Sequence, residues 1–89
     1  MAVRQQATPN PNAMKFTADR RVVEGRESKS FYNRDQAAAE PVAAAVFAVD
    51  GVDNVFMADD FVTVTKSPAA HWPDLGPRVI AALEQALGG

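Results

Sequence analysis

VDNVFMADDFVTVTK, residues 52–66, reads as a β-hairpin, and the fold follows from it. In its second arm Val62 and Val64 alternate with Phe61, Thr63 and Thr65, a period of two rich in β-branched side chains. The first arm carries Val55, Phe56 and Met57. Ala58, Asp59 and Asp60 interrupt the two arms with turn-forming chemistry. A tight reversal between two apolar runs makes an antiparallel pair, and one half-buried hairpin needs helices or further strands to cover it.

Both flanks supply helices. Upstream, Pro41 suits a first helical position, and the helix is expected over 41–49. Val42, Val46 and Val49 share a face that Phe47 broadens. Gly51 then ends the helix in a left-handed conformation. Downstream, residues 72–87 place Trp72, Leu75, Val79, Leu83 and Leu87 near one face. Pro77 falls inside that pattern and predicts a kink or restart. Residues 67–70 are the loop between hairpin and helix.

Further toward the N-terminus lies a second hairpin. MKFTA, residues 14–18, alternates Met14, Phe16 and Ala18 with Lys15 and Thr17. VRQQA, residues 3–7, forms its edge partner. TPNPN, residues 8–12, joins the two. Its prolines restrict φ and its asparagines bond nearby backbone, which makes a stiff reversal. Residues 19–27 read as a charged loop around Gly25, with a short strand at Val22 and Val23. Residues 28–32 form another strand and 33–40 a connector with a helical turn. The pattern is α+β, two layers, with a mainly antiparallel sheet and both helices on one face. The 89 residues suit a single domain, 1–89.

Composition excludes several functions. The chain is 47% hydrophobic and 22% charged, which fits a globular domain. Its net charge of -2 disfavours a general nucleic-acid binder. The charge is uneven, net positive over 1–34 and net negative over 35–89. With no cysteine, these residues offer no disulfide, thiol nucleophile or thiolate for zinc or an iron–sulfur cluster. Residues 1–13 lack the apolar run of a signal peptide, and no stretch approaches the roughly 20 apolar residues of a membrane span. A cytoplasmic, monomeric protein without membrane contact is the expectation.

Catalytic signatures are scarce. His71 is the only histidine, and Asp74 follows three residues later; a helix boundary explains both. Asp59 and Asp60 could ligate a hard cation, yet they occupy a hairpin turn. With Asp50, Asp53 and His71 they make a weak oxygen-and-imidazole set for iron without any ligand-spacing motif. Ser28, Ser30 and Ser67 lack a nucleophile signature, and no phosphate-loop or HExxH pattern occurs. Arg20, Arg21 and Arg26 form a small basic cluster that reads as a solvated loop. Phe56, Phe61 and Trp72 read as core residues, with recognition as the alternative.

The motifs also resemble a family. TPNPNAMKF at 8–16 resembles the signature of the N-terminal domain of Nfu/NifU-like iron–sulfur scaffold proteins. EPVAAAVFAVDGV at 40–52, VFMADDFVTVTK at 55–66 and HWPDLGPRVIAAL at 71–83 match its later segments in order. Glu40 stands where the family often has serine, His71 where it often has aspartate, and Ala58, Asp59 and Asp60 replace a Gly-Pro-Asp-like turn. The resemblance implies a non-catalytic interaction module accessory to iron–sulfur cluster assembly or delivery. Its partners would be a scaffold, a desulfurase or an apo-client. Full-length family members add a Cys-x-x-Cys domain that carries the cluster, and that domain is not among these residues. The expected interaction surface is Asn10, Pro11 and Asn12 with Asp59 and Asp60. A direct metal-binding protein using Asp59, Asp60 and His71 is the alternative.

Overall fold

The computed structural model describes residues 3–23 and 27–88. The expected turn at Gly25 and the basic residue Arg26 lie outside them. Strands β1 (Val3–Ala7), β2 (Ala13–Ala18), β3 (Lys29–Phe31), β4 (Val52–Ala58) and β5 (Phe61–Lys66) form one sheet in the order β1-β2-β5-β4-β3. Every neighbouring pair is antiparallel. The central hairpin β4–β5 therefore sits between the first hairpin and a short edge strand.

Period-two patterning sorts the sheet into two faces. Phe16 lies opposite Val62 and Met14 opposite Val64, while Val55 and Met57 pair with Val64 and Val62. Phe16, Val55, Met57, Val62 and Val64 are almost completely buried. The helices α2 (Pro41–Phe47) and α3 (Trp72–Gly88) cover this face, contributing Val42, Val46 and Phe47, and Leu75, Val79 and Leu83. Burying one such side chain is worth ~1.5–3 kcal/mol. An exposed ion pair such as Arg34–Asp50 is worth ~0–1 kcal/mol. The core therefore dominates stability, and the layered α+β architecture is as the sequence implies.

Local chemistry explains the connections. Asn33 caps the four-residue helix α1 (Arg34–Ala37) by accepting from the Gln36 N–H at 2.8 Å. Glu40 makes no such cap for α2; its carboxylate instead meets Lys29 Nζ at 3.2 Å. After α2, Gly51 takes φ 101° and turns the chain into β4. At the β4–β5 tip Asp59 takes φ 46°, a left-handed conformation that aspartate tolerates better than most residues.

Three expectations change. Val22 and Val23 are buried but are not a strand. Their N–H groups donate to one carbonyl, that of Asp59, at 2.7 and 3.4 Å, so the segment hooks onto the hairpin tip without forming a ladder. Pro77 causes no restart, because α3 is continuous over Trp72–Gly88. Proline there removes the N–H that would bond the Pro73 carbonyl, and Pro73 and Pro77 are both exposed residues in the first two turns of α3. Finally, α2 ends at Phe47, short of Val49.

Candidate interaction surface

Thr8 and Asn10 brace the TPNPN turn internally and against Ala13, and Asn12 ties it to distant chain. Thr8 Oγ1 lies within hydrogen-bond distance of the carbonyls of Asn10 (2.9 Å) and Ala13 (3.0 Å) and accepts from the Asn10 N–H. Asn10 Oδ1 accepts from the Asn12 N–H at 2.9 Å, and the Asn10 carbonyl accepts from the Ala13 N–H at 3.0 Å. These are the local bonds through which asparagine replaces ladder bonds in a turn.

Two longer ties hold the loop against distant chain. Lys66 Nζ donates to Asn12 Oδ1 at 3.1 Å and reaches the Ser67 carbonyl at 3.4 Å. Trp72 Nε1–H donates to the Pro11 carbonyl at 3.1 Å, while its ring lies 6.1 Å from that of Phe16. The start of α3, the end of β5 and the TPNPN loop thus form one cluster. Lys66 is the only buried charged residue among those described, at 9% exposure, and its partners are neutral oxygens.

The sequence-selected residues occupy two separate ends of the sheet. Asn10, Pro11 and Asn12 sit beside Lys66, where β5 finishes. Asp59 and Asp60 sit where β5 begins. Six residues of strand separate them, about 17–20 Å. The fold does not bring these two groups together. His71 lies at the TPNPN end, preceding Trp72, and its carbonyl accepts from the N–H groups of Asp74 and Leu75 at the start of α3. With Asp50, Asp74 and Arg78 it lines a shallow depression of about 150 Å³. Asp59 and Asp60 are therefore remote from His71. Among the described residues no three His, Asp or Glu side chains converge on a point that could hold a metal.

Sequence patterning misassigned Phe56. Its neighbours Val55 and Met57 point into the core, so Phe56 must point to the other face, where it is 37% exposed. Phe61 shares that face, with ring centroids 6.1 Å apart, and Lys15 Nζ stands 4.4 Å from the Phe61 ring. The strict alternation of β4 was the available signal. Trp72, by contrast, packs against the core while keeping its N–H at the loop.

These features define a small α+β domain, free of cysteine, whose polar turn is fixed to its last helix. The chain belongs to the family described as scaffold protein Nfu/NifU N terminal, which matches residues 3–88. It is 42% identical to NifU-like protein 5, mitochondrial, of Arabidopsis thaliana over 93% of this chain and 30% of that protein. It is 36% identical to the NFU1 iron-sulfur cluster scaffold homolog, mitochondrial, of Drosophila erecta, over 93% of this chain and 29% of that one. The chain thus spans about 30% of the length of these relatives. Protein SAV1430 of Staphylococcus aureus superposes with a TM-score of 0.78 at 31% identity, covering 94% of this chain and 100% of the other. A NifU-like protein of Saccharomyces cerevisiae gives 0.79 at 28% identity, covering 94% and 76%. Among the described residues no helix is long and apolar enough to cross a membrane.

Proposed function

We propose that this chain is a non-catalytic protein-interaction module that serves iron–sulfur cluster assembly or delivery without ligating the cluster itself. The observation that carries this reading is a family match over residues 3–88 in a sequence that contains no cysteine. The scaffold function in the relatives' names supports the assembly role. Without a thiolate, the cluster is cargo of a partner and not a resident group of these residues. The partners are a cluster scaffold, a cysteine desulfurase or an apo-client, and the module works as a monomer in an aqueous compartment. The cytoplasm is the expectation from sequence; the relatives carry mitochondrial names, and fractionation of the source cells decides between the two.

The exposed edge of the TPNPN loop, at Asn10 and Pro11, is one contact in this proposal, and the Asp59 and Asp60 tip is a second, separate one. A rigid loop loses little entropy on binding, which favours it as a recognition element. The direct metal-binding reading has weaker support, because its candidate ligands Asp59, Asp60 and His71 fall at opposite ends of the sheet. The test is binding of the immobilised chain to a purified desulfurase, cluster scaffold and apo-client. Saturable binding to at least one supports the module reading, and binding to none removes it.

A further inference from the structure

The helices cover one face of the five-stranded sheet, and no described element packs on the other. That open face has a definite chemistry. Lys15 and Thr63 lie opposite each other, as do Thr63 and Phe56, while Arg4 pairs with Thr17 and Thr17 with Phe61. Phe56 and Phe61 form a partly exposed aromatic pair, and Lys15 is held over the Phe61 ring. Strands β1, β2, β3 and β5 contain no Asp or Glu, and the single carboxylate of β4, Asp53, sits at the bulge where its ladder is irregular. The charges that face outward from the strand interiors are therefore Arg4 and Lys15, both positive, on a chain whose net charge is -2.

We propose that this open face is a docking surface for an acidic protein segment bearing an aromatic or aliphatic anchor. The anchor packs on Phe56 and Phe61, and carboxylates on the segment meet Lys15 and Arg4. This rests on the chain being an interaction module and names the chemistry of its partner. Charge complementarity selects the occupant. A second copy would set the same cations against each other, which opposes face-to-face pairing. A single nucleic-acid strand would stack on the aromatic pair but would bring its phosphates to only two cations, beside the acidic Asp59 and Asp60 tip. A polypeptide, unlike a strand with a phosphate at every nucleotide, can carry carboxylates only where Lys15 and Arg4 meet them and apolar side chains over Phe56 and Phe61, so it avoids both penalties. Five strands at ~4.8 Å spacing and about six residues at ~3.3 Å give a face on the order of 450 Å². That is about half of what one partner contributes to a stable interface, so the contact is a transient one.

The test uses the intact chain and amide NMR. The probe is a synthetic peptide alternating glutamate with phenylalanine and leucine; its lysine counterpart and oligouridine are the comparisons. The expected result is saturable shifts centred on Lys15, Phe56, Phe61 and Thr63 with the acidic peptide, weakening as salt is raised. Phe56→Ser and Lys15→Glu each weaken binding by about tenfold, while spectra of the free variants keep the dispersion of a folded domain. No saturable binding of the acidic peptide overturns the proposal. So do binding that survives both substitutions, and oligouridine producing these shifts in its place. Concentration-dependent shifts on this face in the free protein, showing self-association, overturn it as well. The same variants are then measured against the purified assembly proteins. Partner binding that is unaffected by either substitution leaves the module standing and removes this surface. Absence of any partner binding removes the module reading, and the peptide result still decides the chemistry of the face.

Discussion

Removing the side-chain amide of Asn12 isolates one contribution of the TPNPN loop. Lys66 is 9% exposed, and the hydrogen bonds described for its ammonium go to Asn12 Oδ1 at 3.1 Å and the Ser67 carbonyl at 3.4 Å. Asn12→Ala deletes the shorter and better of the two. Hydrogen bonds to a charged group contribute ~1.5–3 kcal/mol, so the expected loss is about 2 kcal/mol. The backbone bond from the Lys66 N–H to the Asn12 carbonyl, 2.8 Å, does not depend on the side chain, so the strand register survives. Urea unfolding followed by far-UV circular dichroism and Trp72 fluorescence measures the loss. With a slope of about 1 kcal/mol per molar, the midpoint falls by about 2 M. Asn12→Asp restores an acceptor opposite the ammonium and recovers most of the stability. In a Lys66→Met background Asn12→Ala costs less than about 0.5 kcal/mol, because the group it served is gone. A cost below about 0.5 kcal/mol in the native background, or an equal cost with and without Lys66, refutes the reasoning.

Other consequences are more local. Gly51→Ala destabilises by about 1–3 kcal/mol in the same assay, since φ 101° is unfavourable for alanine and its Cβ would lie 3.1 Å from that of Ala70. Asp59→Val costs about 1–2 kcal/mol at φ 46°, whereas Asp59→Gly is neutral or mildly stabilising; the lost Arg21 ion pair is exposed and worth ~0–1 kcal/mol. Iron(II) added during amide NMR produces no broadening confined to Asp59, Asp60 or His71. Selective broadening there at low metal ratios would revive the metal-binding reading.

The sheet was legible because its strands alternate cleanly. Val62 and Val64 against Thr63 and Thr65, and Phe16 against Lys15 and Thr17, set the faces without any tertiary information. The left-handed conformation at Gly51 was legible for the same kind of reason, a single residue type suited to one backbone conformation, but it belongs to the turn into β4, and the C-cap of α2 is Ala48. Pro77 misled only as to a restart: it falls in the second turn of α3, where it removes a single intrahelical N–H, and the helix runs through it over Trp72–Gly88. Val22 and Val23 misled because a β-branched pair signals burial as much as strand, and their hydrogen bonds go to a turn carbonyl 36 residues away or more. The candidate surface was legible residue by residue but not as an arrangement. Nothing in the spacing of Asn12 and Asp59 says that they mark opposite ends of the sheet. The ties from Lys66 and Trp72 to the TPNPN loop cross more than fifty residues of sequence, and no local pattern encodes them.

Affinity capture of the tagged chain from its own cells, read by mass spectrometry against an untagged control, tests the central claim most directly. The expected result is specific enrichment of a cysteine desulfurase, a cluster scaffold or a cluster-requiring enzyme by the native chain. Capture in which none of these proteins exceeds the untagged control would contradict an assembly role for this domain.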